Sequence, residues 1–179
     1  MIVLVLGGTR SGKSVVAEQA LARLTGPHCY VSTASFDPDD EDMVERVARH
    51  RRRRPTSWTS VEAGADLAEA LRAVRGSVLV DALGTWVAAT NNLAVDVEDL
   101  CRALRDRAGD TVLVSDEVGM GVHPSTEIGR RFRDVLGEVN QAVAGIADHV
   151  FLVVAGRVLP LHAFDSMRGM TGVEGMDGA

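Results

Sequence analysis

The octapeptide GGTRSGKS at residues 7–14 constrains this chain more than any other stretch, since it satisfies G-x-x-x-x-G-K-[ST] in full and joins two elements of different type. Ile2 to Leu6 form a continuous apolar run of the kind a buried parallel strand carries, and SVVAEQALARL from Ser14 onward has the apolar spacing of a helix. Strand, glycine loop and helix are the context in which such a loop binds phosphate. Gly7, Gly8 and Gly12 allow backbone N–H groups to turn inward around an anion, with Thr9, Arg10 and Ser11 between them, and the positive end of the helix adds to the attraction. Lys13 then reaches the β and γ phosphates of a triphosphate, and Ser14 supplies a hydroxyl for Mg²⁺. Lys13 is also the only lysine in a chain with 19 basic residues, so arginine serves everywhere else.

Further apolar runs recur at 28–33, 77–83, 111–117 and 149–156, with helical patterns expected near 13–24, 39–54, 64–74, 96–107 and 125–146. This alternation predicts an α/β fold, a mostly parallel sheet with flanking helices. With 46% hydrophobic residues in 179, the chain suits one domain, placed at 1–162, while the glycine-rich residues 163–179 are expected to form a flexible tail. No apolar run approaches 18 residues, which predicts a soluble, cytoplasmic protein without a membrane span. Cys29 and Cys101 lack any metal-ligand spacing and read as buried small apolar residues.

Ligands of open parallel sheets bind beyond the carboxyl ends of the strands, where Asp81 and the Asp116–Glu117 pair fall. Asp81 either organises Mg²⁺ beside the triphosphate or caps the turn that follows its strand. Glu117 is equally open to a capping role. The stretch RVARHRRRRPTSW, residues 46–58, holds six arginines in a chain of net charge -6, and the preceding DPDDEDMVE holds six carboxylates. As a helix stopped by Pro55, this segment begins acidic and ends basic, which complements the macrodipole. His50 shares a face with Met43 and Val47. It is either a partly buried structural histidine or, kept neutral by the surrounding arginines, a nucleophile toward phosphorus.

Taken together, GGTRSGKS, YVSTA at 30–34, DEDMVERVARHRRRRPTSWTSVE at 40–62, VDALGTW at 80–86, VSDEVGMGVHP at 114–124, FRDVLGEVNQ at 132–141 and ADHVFLVVAG at 147–156 resemble the bifunctional adenosylcobinamide kinase / adenosylcobinamide-phosphate guanylyltransferase of cobalamin biosynthesis. The resemblance implies a P-loop domain of RecA-like type and two reactions. In one, a nucleoside triphosphate phosphorylates adenosylcobinamide. In the other, a histidine attacks the α-phosphate of GTP, pyrophosphate leaves, and the guanylyl-histidine passes GMP to adenosylcobinamide phosphate, giving adenosylcobinamide-GDP. That histidine falls on His50, which the resemblance makes catalytic together with Lys13. Nucleotide contacts carry over to Gly7 through Ser14, to Ser32, Thr33 and Ala34, to Arg51, Arg52, Arg53 and Arg54, to Glu62 and to Asp81, with Mg²⁺ at Ser14 and Asp81. ATP and GTP are the implied substrates, a corrinoid the implied partner and a homotrimer the implied assembly. Asp116 departs from relatives that often carry Asn there.

The corrinoid and the guanine preference rest on the resemblance, because no spacing or composition points to either. A switch GTPase is disfavoured, since its N-K-x-D motif needs a second lysine. Two other readings stand beside the bifunctional enzyme: a small-molecule kinase in which His50 is structural, and an ATPase-type module gripping nucleic acid through the arginines. Aromatic residues make up 4% of the chain, and none interleaves with the arginine run to stack on bases, which argues for no nucleic-acid partner.

Overall fold

The computed structural model describes residues 1–34 and 55–163. Among these, seven strands form one sheet: β1 (Ile2–Gly7), β2 (His28–Ser32), β3 (Thr59–Glu62), β4 (Ser77–Asp81), β5 (Thr111–Asp116), β6 (His149–Val154) and β7 (Arg157–Leu161). Their order across the sheet is β3-β2-β4-β5-β1-β6-β7. Every pairing up to β6 is parallel, and β7 returns antiparallel beside β6. The described helices are α1 (Lys13–Leu21), α2 (Leu67–Ala73), α3 (Leu83–Ala89), α4 (Val97–Asp106) and α5 (Glu127–Ala144).

β1 lies near the middle of the sheet and is buried along its whole length, which is why its sequence is apolar without alternation. Successive side chains still part to opposite faces. Ile2, Leu4 and Leu6 join the core formed with Leu71 of α2, Trp86 of α3, Leu100 of α4 and Leu136 of α5. Val3 and Val5 join the opposite core, which contains Ala17 and Leu21 of α1. Period-two geometry thus sorts one apolar run into two cores.

Two helices start on side-chain caps that the sequence carries locally. Asp96 accepts from the Asp99 amide at 2.8 Å before α4, and Thr126 accepts from the Gly129 amide at 3.2 Å before α5. β6 and β7 are joined by Ala155 and Gly156, both at positive φ, the conformation a two-residue hairpin needs. β7 is exposed throughout and contains Pro160, which an edge strand tolerates.

The expected strands at 28–33, 111–117 and 149–156 appear with slightly shorter bounds, as do the helices at 13–24, 64–74, 96–107 and 125–146. The run at 77–83 ends earlier than its hydrophobicity suggests. The strand stops at Asp81, and Ala82 and Leu83 turn into α3, a helix the sequence reading lacked. β3 and β7 were also unforeseen: β3 has a single apolar residue and exists by pairing with β2, and β7 carries a proline. The expected helix at 39–54 lies outside the described residues, and so does the tail beyond Ala163. No helix among the described residues is long and apolar enough to cross a membrane. Cys29 and Cys101 are both buried and free, and burial pushes the Cys101 thiol up.

Candidate active site

The loop after β1 has the backbone of an anion cradle. A Cβ on Gly7 would come 2.5 Å from Ser11 Oγ and 2.8 Å from the Val153 carbonyl, so no larger residue fits. Gly12 has φ 96°, in the left-handed region, and directly precedes α1. The first turn of α1 carries no acidic residue, so no carboxylate on that turn neutralises the positive end of its dipole. The hairpin after β6 braces the loop from outside, with the Gly156 amide donating to the Ser11 carbonyl at 2.8 Å. Gly8, Thr9 and Arg10 are exposed at the rim, and Ser14 is half-buried in the first turn.

Lys13 is buried, 8% exposed, and its ammonium lies 2.7 Å from Asp116 Oδ1 while also donating to the Gly8 carbonyl at 3.2 Å. Strand register explains the meeting. β5 lies directly beside β1 with Gly7 opposite Asp116, so the end of one strand delivers the loop and the end of the next delivers its counter-charge. The Glu117 amide donates to the Gly7 carbonyl at 3.1 Å and extends this join.

The same logic aligns the other strand ends. Ser32 stands opposite Glu62 on one side and Asp81 on the other. Ser32, Glu62 and Asp81 therefore form a row at the carboxyl edge of β2, β3 and β4, and β5 separates that row from the phosphate loop. The Tyr30 hydroxyl donates to Asp81 Oδ2 at 2.9 Å, and the Thr33 amide donates to the Asp81 carbonyl at 3.4 Å.

Thr33 has a role its sequence neighbourhood does not reveal. Its side chain is fully buried, and its hydroxyl lies 2.6 Å from the Ala82 carbonyl, 3.1 Å from the Ala82 amide and 2.6 Å from the Thr85 hydroxyl. It braces the turn from β4 into α3, and its hydroxyl is committed to that turn. Thr85 completes the brace, accepting from the Ala82 amide at 3.1 Å.

The structure thus gathers Gly7 through Ser14, Ser32, Thr33, Ala34, Glu62 and Asp81 at one edge of the sheet. His50, Arg51, Arg52, Arg53 and Arg54 lie outside the described residues. Three contributors escaped the site reading: Asp116 as partner of Lys13, Thr85 in the brace, and Gly84, where a Cβ would lie 2.7 Å from Asp116 Oδ2. Asp116 had a visible signal, a carboxylate ending an apolar strand. Thr85 and Gly84 lie within VDALGTW at 80–86, which carries the resemblance, but the helix that places them in the site was not legible. Glu117 accepts the Gly119 amide at 2.6 Å, which realises the capping alternative.

A family model described as cobinamide kinase / cobinamide phosphate guanyltransferase matches residues 3–161. The bifunctional adenosylcobalamin biosynthesis protein CobP of Pseudomonas aeruginosa is 38% identical over 169 residues, which span 88% of this chain and 95% of that protein. The protein CobU of the same description from Escherichia coli is 34% identical, and that from Salmonella typhimurium 36%, each alignment spanning 87% of this chain and 97% of the relative. Among solved structures, an ATPase from the type III secretion system of pathogenic bacteria superimposes with a TM-score of 0.54 at 9% identity. The match covers 93% of this chain and 60% of that one, a likeness of fold alone.

Proposed function

The chain belongs to the cobinamide kinase / cobinamide phosphate guanyltransferase family, and from that premise we propose that one triphosphate site built on Lys13 serves both of its reactions. The protein is an enzyme of cobalamin biosynthesis, a kinase and a nucleotidyltransferase with a nucleotide-binding P-loop fold. The observation that carries the reading is the placement of Lys13 at the start of α1, directly after Gly12 in the left-handed conformation, in a loop whose Gly8 faces open space, with carboxylates at the neighbouring strand ends.

In our reading the loop from Gly7 to Ser14 holds the phosphates. Ser32, Ala34 and Glu62 border the nucleoside, together with the main chain of Thr33. Ser14 and Asp81 offer the hard oxygen donors that Mg²⁺ takes when it is held by one or two side chains with substrate phosphates and water. Bound there, Mg²⁺ would neutralise phosphate charge during transfer. In the kinase reaction Lys13 steadies the γ-phosphoryl group as the hydroxyl of cobinamide attacks it.

The guanylyl reaction needs a nucleophile at the α-phosphate, and we assign it to His50. A ring nitrogen attacks the α-phosphorus, the bond to the bridging oxygen breaks, and pyrophosphate departs. A phosphate oxygen of cobinamide phosphate then displaces the histidine. Arg51 to Arg54 follow the nucleophile in sequence and supply fixed positive charge for the pentavalent transition state. The same reading makes the enzyme cytoplasmic and homotrimeric. Val158, Leu159 and Leu161, exposed together along β7, support an assembly that covers this edge.

The test is incubation of wild type and His50→Ala with Mg²⁺ and GTP labelled at the α-phosphate, followed by denaturing separation. Label on wild type only, stable to base and lost in acid, is the expected result for a phosphoramidate. Equal labelling of both proteins, or none on a wild type that binds GTP, removes His50 from the mechanism.

A further inference from the structure

Asp116 holds the only lysine of the chain in a place where a phosphate must also be held. Three neighbours fix it there. Its residue stands opposite Gly7 in the β1–β5 ladder, its carbonyl accepts from Asn140 Nδ2 of α5 at 3.1 Å, and its Oδ2 packs where a side chain on Gly84 of α3 would stand. The carboxylate is therefore part of the built site and not a passing contact of a loose side chain. Lys13 and Asp116 are 10% and 33% exposed at their side chains, so water screens their attraction only in part.

We propose that Asp116 competes with the triphosphate for Lys13, so that this chain binds nucleotide tightly only together with a divalent cation. The inference rests on the reading of Gly7 to Ser14 as a triphosphate loop. A triphosphate entering alone brings several negative charges against a carboxylate that already neutralises Lys13. It gains one cation contact and meets one like charge at contact range. A divalent cation bound with the triphosphate would neutralise part of its charge, so the same carboxylate would meet a weaker repulsion. Asp81, two strands from β1, lies farther from the ammonium in the sheet order, so Asp116 is the carboxylate that makes binding conditional.

The experiment is calorimetric titration of GTP and of ATP into wild type, Asp116→Asn and Asp116→Ser, once in excess Mg²⁺ and once in EDTA. Asn keeps the size of the side chain, and Ser reports independently should the amide distort the turn. In EDTA both variants should bind about tenfold more tightly than wild type, the scale of one like charge at contact range in a partly screened site. In Mg²⁺ they should bind no more tightly than wild type, so the ratio of the two affinities narrows. A merely structural role for Asp116 would weaken binding under both conditions, and affinity in EDTA that is unchanged or lower in the variants overturns the proposal. If wild type binds neither nucleotide in Mg²⁺, the triphosphate reading itself fails and takes the proposal with it. Tight binding in Mg²⁺ with no rise in EDTA defeats the role of Asp116 alone.

Discussion

Replacing Thr33 by Val removes one hydroxyl and nearly preserves shape, so its effect measures the brace under α3. The hydroxyl sits within 2.6 Å of the Ala82 carbonyl, 3.1 Å of the Ala82 amide and 2.6 Å of the Thr85 hydroxyl, with no exposed surface on the residue. A full loss of three bonds overstates the cost. Thr85 also donates to the Ala82 carbonyl at 2.9 Å and accepts from its amide at 3.1 Å, so both backbone groups keep a partner. One to two net hydrogen bonds therefore disappear, or about 1–2 kcal/mol. For a chain of this size that lowers Tm by about 3–6 °C. Thr33→Val and Thr85→Val together strip the Ala82 amide of both hydroxyl partners, while its carbonyl keeps the Trp86 amide at 3.1 Å, and the double variant should lose more than the sum of the two singles. The assay is thermal and urea unfolding of the four proteins, alongside GTP affinity in Mg²⁺. Wild-type stability in Thr33→Val combined with a tenfold loss of GTP affinity would refute the reasoning, since the hydroxyl would then serve the ligand and not the turn.

Two further outcomes are expected away from the site. At the opposite edge of the sheet Arg107 donates to the carbonyls of Gly76 at 2.8 Å, Asp110 at 3.0 Å and Gly109 at 3.1 Å and to Thr111 Oγ1 at 2.7 Å, and burial holds its pKa below the ordinary arginine value. Arg107→Ala should cost about 1–3 kcal/mol in urea unfolding, chiefly through the Gly76 carbonyl it strands, since the Asp110 carbonyl keeps the Val78 amide, with Arg107→Lys recovering part of the loss and GTP affinity unchanged in both. Between α2 and α4, the hydrogen bond from Arg72 holds the Asp99 carboxyl below its usual range. A depressed carboxylate contributes stability above its unfolded pKa and loses it as pH falls through the folded one. The stability gap between wild type and Arg72→Ala should thus be flat from about pH 5 to 8 and close below about pH 4. Both side chains keep a substantial part of their surface in solvent, 45% for Arg72 and 30% for Asp99, so the gap should be small and shrink in salt.

Most of the central sheet was legible because β1, β4 and β5 are buried runs of branched and long aliphatic residues packed between helices, and β6 is a similar apolar run that is partly buried. The edge was not. TSVE at 59–62 and RVLPL at 157–161 become strands only because β2 and β6 offer them backbone partners, and pairing of that kind leaves little trace in composition. α3 was hidden by continuity: Ala82 and Leu83 prolong the apolar run of β4, and the turn between them depends on Thr33, far away in sequence. Trp86 anchors that helix by donating to the Ala65 carbonyl at 2.9 Å, again a distant contact.

What the sequence determined alone is the phosphate loop with its single lysine and the family to which the chain belongs. A glycine at a left-handed position, a lysine beside it and a helix after it act within eight consecutive residues, so their chemistry survives being read as a string. Tertiary structure decided which carboxylate faces that lysine. Asp81 and Asp116 both end apolar strands and are alike on paper, but β5 is the strand inserted next to β1, and parallel register places Asp116 opposite Gly7 and 2.7 Å from Lys13. Strand order in a parallel sheet is set by packing and crossover geometry and not by proximity along the chain, so only the folded sheet could choose between the two.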